Sequence, residues 1–125
     1  MLYEDPPLLP HVVVAATLEA VLVGEVPEYD PNSVLIGLAL HDTDREFVEI
    51  WAVRIGERTN DASLRDSAAL AIGHLARRFG DIGEEARAFV SRAADHPDSD
   101  GRARDARDDV QQFAPAWTPL LRGHS

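Results

Sequence analysis

Residues 61–80, DASLRDSAALAIGHLARRFG, carry the clearest helical pattern in the chain. Their apolar residues recur every three or four positions, which places them on one face of an α-helix. Asp61 has the side chain of a helix N-cap, and Gly80 suits the left-handed conformation that ends a helix. A strip of small residues runs beside the apolar face: Ala69, Gly73 and Ala76. The pattern predicts a helix that packs on one face and that a second helix approaches closely.

The rest of the sequence predicts further helices separated by short breaks. They cover about residues 9–23, 31–41, 42–58, 83–94 and 101–113. The second opens at Asp30-Pro31, an N-cap residue followed by a proline, and Asp42 or Thr43 caps the third. The triplet Val12-Val13-Val14 would also suit a β-strand. Six helices of this length form either a compact bundle or a stack of antiparallel pairs, and we favour the stack.

The composition fits one folded domain over residues 1–125. The chain has 12 lysines and arginines against 22 aspartates and glutamates, so its formal net charge is -10. Its hydrophobic content of 45% is typical of globular rather than disordered proteins. Because the sequence contains no cysteine, disulfides, thiolate zinc sites and cysteine nucleophiles are excluded.

The negative charge restricts the kind of partner. A strongly acidic surface repels phosphate backbones and anionic lipid, so we expect neither nucleic acid nor a membrane as partner. A basic protein partner is favoured instead, and the alternative is that the acidity only keeps the protein soluble. The apolar run over residues 11–23 is too short to span a bilayer and contains Glu19. Acids rather than basic residues precede this run, so we expect a cytoplasmic protein.

Residues 42–113 resemble HEAT-like helical repeats, in which an exposed acidic turn precedes one helix and an Arg-Asp pair opens the next. Asp42 and Asp44 correspond to the acidic turn, and Arg65-Asp66 to the pair. More narrowly, residues 71–77 (AIGHLAR) and 101–113 (GRARDARDDVQQF) are similar to a family of small bacterial HEAT-like proteins. Members of that family are often encoded beside polymorphic or contact-dependent toxins and are taken to be immunity proteins.

The resemblance implies an all-α, HEAT-like α-solenoid of five to six antiparallel helices. Residues 1–41, which the resemblance does not cover, are predicted from their periodicity to be its N-terminal helix pair. It also implies a binding protein without chemistry of its own, which neutralises a cognate toxin and needs no cofactor. The acidity is compatible with this function, since many such toxins are nucleases with a basic groove that an acidic inhibitor can occupy. The alternative is a non-catalytic adaptor or scaffold module in a larger assembly.

The third predicted helix carries the candidate partner surface. Opposite its core face lie two aliphatic residues between two acids, an unusual composition for a face left in water. We predict partner contacts by Asp42, Asp44, Glu46, Glu49, Ile50, Val53 and Glu57. The aliphatic residues would give desolvated contact, and the acids would meet arginines or lysines of the partner. The alternative is that a preceding helix covers this face.

A second set of polar residues is assigned structural roles: Arg65, Asp66, His74, Arg77, Asp105, Asp108 and Asp109. We expect Asp66 and Arg77 to bridge to neighbouring helices, and His74 to donate to a backbone carbonyl. The three aspartates at 105–109 could surround a cation together with Asp98 and Asp100. Ion pairs with arginines of the same helix are the simpler explanation, so no metal site is predicted.

No pattern of catalytic residues stands out in the sequence. Its five histidines do not form an HExxH motif, and it has neither a glycine-rich phosphate loop nor a GxSxG elbow. We therefore expect no enzyme activity. The last segment, residues 114–125, reads as an extended tail because Pro115 and Pro119 cannot continue a helix. Its apolar residues would cap the end of the stack or anchor a second chain: Trp117, Leu120 and Leu121.

Overall fold

The computed structural model describes residues 9–115, and within them the chain forms helices joined by turns, with no strand. The prediction of an all-α fold is confirmed. Val12-Val13-Val14 lies inside the first helix, so the alternative of a strand there is wrong. The described helices are α1 (His11–Leu22), α2 (Pro31–His41), α3 (Arg45–Arg58), α4 (Ala62–Phe79), α5 (Glu84–Asp95) and α6 (Arg102–Phe113).

Local capping explains most of these bounds. The Asp30 carboxylate accepts a hydrogen bond from the Asn32 N–H at 3.1 Å, and that of Asp61 accepts one from the Ser63 N–H at 2.9 Å. Gly80 ends α4 with a φ of 69°, the left-handed conformation that glycine adopts without steric cost. The two N-caps and the C-terminal stop predicted from the sequence are confirmed.

The start of α3 differs from the prediction. Its N-cap is Asp44, which accepts from the Phe47 N–H at 3.1 Å, rather than Asp42 or Thr43. Asp42 instead accepts from the Asp44 N–H at 2.8 Å and is buried, so it shapes the turn that precedes the helix. An aspartate can satisfy either role, and the choice depends on the inward direction of the Asp42 side chain.

The centre of the fold is α4, which packs against α2, α3, α5 and α6. Its predicted apolar face is buried at Leu64, Ala68, Ala71, Ile72 and Leu75. The last member of that face, Phe79, is instead 39% exposed, with the Arg78 guanidinium 4.8 Å from its ring centroid. Phe79 lies in the last turn of α4, next to Gly80, which ends the helix.

The predicted close approach of a second helix is also confirmed. At Gly73 an added Cβ would lie 3.0 Å from the Cα of Ala106 and 3.1 Å from its Cβ. The backbones of α4 and α6 therefore meet at this position, which is why the strip of small residues is needed there.

The helices pack in two rows. In one row α4 contacts α2 and α6, and in the other α3 contacts α1 and α5. Successive helices also contact each other along the chain, including the predicted pairs α1 with α2, α3 with α4 and α5 with α6. None of the helices in residues 9–115 has both the length and the apolar character needed to cross a bilayer.

The predicted C-terminal tail is described only at its beginning. Ala114 is buried, and its carbonyl oxygen accepts a hydrogen bond from Nη1 of Arg87 at 2.7 Å. Trp117, Leu120 and Leu121 lie outside the described residues, so their predicted role as a cap or anchor stays a prediction.

Candidate functional site

An open groove of about 550 Å³ runs between the outer face of α3 and the start of α5. It is mainly acidic, because five glutamates and only two arginines line it. The lining residues are Glu46, Glu49, Ile50, Val53, Arg54, Glu57, Arg58, Gly83, Glu84, Glu85 and Ala86. Five of the seven residues predicted for the partner surface line this groove. Glu49 lies at its inner edge, and the other four form the outer face of α3: Glu46, Ile50, Val53 and Glu57.

The apolar part of the groove centres on Ile50. Its side chain is 56% exposed, whereas Val53, one turn further on, is buried with only 8% exposed. No helix in the described part of the chain covers Ile50, so the alternative of a covered face does not hold for this residue. An exposed isoleucine between carboxylates provides both a desolvated contact and charge.

Glu49 is a structural residue at the inner edge of the groove. Its Oε1 accepts a hydrogen bond from the Gly83 N–H at 2.9 Å, and its Oε2 lies 2.9 Å from Nη1 of Arg45. Burial raises the pKa of Glu49, and these two contacts oppose that rise. Because Oε1 joins α3 to the start of α5 and Oε2 pairs with an arginine of the same helix, Glu49 is not free to meet a partner.

Asp42 and Asp44 are also engaged within the fold. Asp42 is buried, and its Oδ2 lies 2.7 Å from Nε2 of His11, whose ring stacks on Phe47 at a centroid distance of 3.6 Å. Asp44 caps α3. Neither residue lines the α3 groove, so the structure does not bring them together with the rest of the predicted partner surface.

The sequence analysis missed the contribution of α5 to the groove. Glu84 and Glu85 lie in the first turn of α5 and extend the acidic surface beyond α3. Glu57, at the other end, forms an ion pair with Arg92 of α5. The sequence does show two acids at the start of the predicted fifth helix. Assigning them to the groove requires knowing that α5 lies beside α3.

The residues with predicted structural roles lie on the contact with α6 and the turn before it. Asp66 is buried, and its Oδ2 accepts a hydrogen bond from the Asp100 N–H at 2.9 Å. Nε of Arg77 lies 3.3 Å from Oδ2 of Asp109. Both residues therefore contact neighbouring segments, as expected for side chains that fix the packing of α6 on α4.

The predicted ion pairs within α6 are not formed. Arg102 pairs with Asp100 at 3.0 Å and Arg107 with Asp95 at 2.9 Å, and both acids lie outside α6. Asp105 and Asp108 are exposed and form no ion pair within residues 9–115. Asp100 lies two residues before Arg102, and the packing of α5 beside α6 brings Asp95 to Arg107, so both arginines pair outside the helix.

His74 is half-buried and does not donate to a backbone carbonyl within the described residues, contrary to the prediction. Burial lowers its pKa, Arg77 lowers it further, and Asp109 opposes this change. Burial, reinforced by the cationic neighbour, explains why the neutral imidazole is favoured here.

The chemistry offered by the groove is that of recognition: carboxylates around an aliphatic contact. Across the described part of the chain, no group of three or more histidine, aspartate and glutamate side chains is placed to hold a metal ion. In the comparisons with known proteins, no family model, curated protein or solved structure matches the chain. The functional argument therefore depends on the groove itself.

Proposed function

We propose that this chain is an acidic protein-binding inhibitor whose basic partner docks in the α3 groove. The observation that carries the proposal is the exposure of Ile50 within a groove lined by five glutamates. An apolar contact in a mainly acidic groove matches a protein surface with complementary charge. Together with the resemblance to immunity proteins, this supports a cognate bacterial toxin as the partner and the cytoplasm as the location.

The proposed scaffold is a short HEAT-like α-solenoid of antiparallel helix pairs. The two rows of helices, α1–α3–α5 and α2–α4–α6, support this arrangement because stacked pairs place alternate helices side by side. In such a stack the groove lies between two successive helices of one row. Rigid neighbours would then hold the groove open before the partner arrives, which lowers the ordering cost of binding.

The experiment compares two charge-reversal variants. Glu46→Lys with Glu85→Lys changes two exposed groove residues that form no ion pair within residues 9–115. Glu25→Lys with Asp108→Lys makes the same change in net charge at exposed positions outside the groove lining. Glu57 is left intact because its reversal would break the ion pair with Arg92. Circular dichroism and thermal unfolding first establish that both variants fold.

Partners captured from the native cell with the wild-type chain are identified, produced and titrated against all three proteins. We expect a basic partner whose affinity falls at least about tenfold with the groove variant and little with the control. The wild-type affinity should also fall as salt is raised, because exposed charges are screened. Co-expression should relieve the partner's toxicity. Equal binding by both variants, or a partner whose activity the chain leaves unchanged, would contradict the proposal.

A further inference from the structure

A second pocket, of about 460 Å³, lies between the turn that joins α3 to α4 and the end of α5. In contrast to the α3 groove, it sets two arginines and a histidine beside two acids, in a chain of net charge -10. Its lining residues are Gly56, Glu57, Thr59, Asn60, Arg65, Phe89, Arg92, Ala93, His96 and Asp98. We propose that this pocket binds a phosphate group, with Arg65 as its principal contact.

Two nitrogens of the Arg65 guanidinium group lack a hydrogen-bond acceptor, and the proposal rests mainly on them. Nε and Nη2 are buried and have no hydrogen-bond partner, and Arg65 forms no ion pair within residues 9–115. An arginine stays charged at any physiological pH, and a buried charge without a partner is costly. These two nitrogens form the edge of the guanidinium that donates two parallel hydrogen bonds to a phosphate or carboxylate. Because both nitrogens are buried, the guanidinium group turns this edge toward the pocket when the pair of donors binds an oxyanion.

Two other side chains supply further donors around the same pocket. Nδ1 of His96 accepts a hydrogen bond from the Asp98 N–H at 3.2 Å, which leaves the proton on Nε2 as a donor. Arg92 is neutralised by Glu57, but its guanidinium keeps further N–H groups. Donors from three side chains fit a tetrahedral anion better than a planar carboxylate. The side chains of Arg92 and His96 are 59% and 41% exposed, so they form a rim that can move as the anion enters.

The overall charge makes such a site specific. The net negative charge of the chain disfavours the loose accumulation of anions on its surface. Saturable phosphate binding would therefore report a local arrangement of donors rather than a general attraction. The pocket shares only Glu57 with the lining of the α3 groove, so this proposal does not depend on the proposed function.

The test is a titration with inorganic phosphate, followed by NMR of backbone amides and of the arginine Nε–H groups. A second titration with glycerol phosphate distinguishes free phosphate from a phosphate ester, and sodium chloride at equal ionic strength controls for screening. We expect saturable shifts at Arg65 and around the pocket with at least one of the two phosphates. Shifts that chloride reproduces, or no saturable shift with either phosphate, would overturn the proposal.

Variants separate binding by Arg65 from a purely structural role. Arg65→Met keeps the length of the side chain without its donors and should abolish saturation, whereas Arg54→Met, in the other groove, should leave it unchanged. His96→Gln alters only the exposed rim and should weaken binding several-fold, which keeps the test valid if Arg65→Met does not fold. Unchanged phosphate affinity in the folded variants at positions 65 and 96 would refute the site.

Discussion

At the scale of single residues, the polar side chains of this protein act mostly through neighbours distant in sequence. Asp66 accepts a hydrogen bond from the backbone N–H of Asp100, and Glu49 accepts one from that of Gly83. In each case one oxygen of a buried carboxylate accepts a hydrogen bond from a segment between helices, which offsets part of the cost of burying the charge. Residues of this kind set the positions of the turns, and thereby the shape of the grooves beside them.

His74 makes one of these effects measurable through pH. Burial, then Arg77, lowers its pKa from the ordinary value of 6.5. When the pH falls through 6.5, His74 binds a proton in the unfolded chain but stays neutral in the folded chain. The free energy of unfolding therefore decreases. The contribution of the neutral imidazole is complete above pH 6.5 and is lost progressively below it.

We therefore expect His74→Gln to change the pH dependence of stability. Urea unfolding of the wild type and the variant, compared between about pH 7.5 and pH 5.5, should show the wild type losing stability relative to the variant. Taking the difference between the two proteins cancels the titration of all groups that they share. A difference that stays constant over this range would show that the imidazole titrates alike in the folded and unfolded chains.

At the scale of helices, the backbones of α4 and α6 approach each other closely at Gly73. Alanine in place of glycine normally stabilises a helix by about 1 kcal/mol. Here the new methyl group would lie 3.0 Å from a backbone atom of Ala106, which cannot rotate away. Overpacking of this kind costs about 1–3 kcal/mol and outweighs the gain in helix propensity.

Gly73→Ala should therefore lower the free energy of unfolding by roughly 1 kcal/mol, measured by urea denaturation. Ala106→Gly removes the facing methyl group, 3.1 Å away, and should recover part of the loss when the two changes are combined. A Gly73→Ala protein more stable than the wild type, or strictly additive effects of the two changes, would show that the helices separate there without cost.

The helices themselves were predictable from the sequence, whereas most side-chain partners between them were not. Asp30, Asp61 and Gly80 act on their own backbone turns, so the sequence alone locates those helix ends. Asp42 and Arg107 instead have partners far along the chain, His11 and Asp95. For such residues the sequence offers several chemically equivalent partners, and only the packing of the helices decides among them.

At the scale of the whole molecule, the candidate site illustrates the same division. The outer face of α3 could be singled out from the sequence because Ile50 lies among acids at helical spacing. The groove also needs α5 beside α3, which places Glu84 and Glu85 opposite that face. The pocket at Arg65 was harder still to predict, since its residues come from three helices and two turns. Sequence patterns identify a surface of one helix, whereas a concave site depends on the arrangement of several.

That arrangement also implies an uneven distribution of stability. Among the helices of residues 9–115, four surround α4, whereas α1 contacts only α2 and α3. The helix α1 also exposes Val12 and has no side-chain cap at its N-terminus. A helix with few buried contacts opens at a lower free energy than the whole protein. We expect the central amides of α4 to exchange with solvent only through global unfolding, and those of α1 through a local opening of lower free energy.

Native-state hydrogen exchange followed by NMR tests this expectation, and Leu75→Ala sharpens it. Leu75 is fully buried in α4, and its truncation should lower the free energy of global unfolding by about 2–5 kcal/mol. Since α4 stays folded when α1 opens, the exchange of α4 should become faster while that of α1 stays unchanged. If α1 and α4 lose protection by the same free energy, then α1 opens only with the rest of the chain, and the helices form a single cooperative unit.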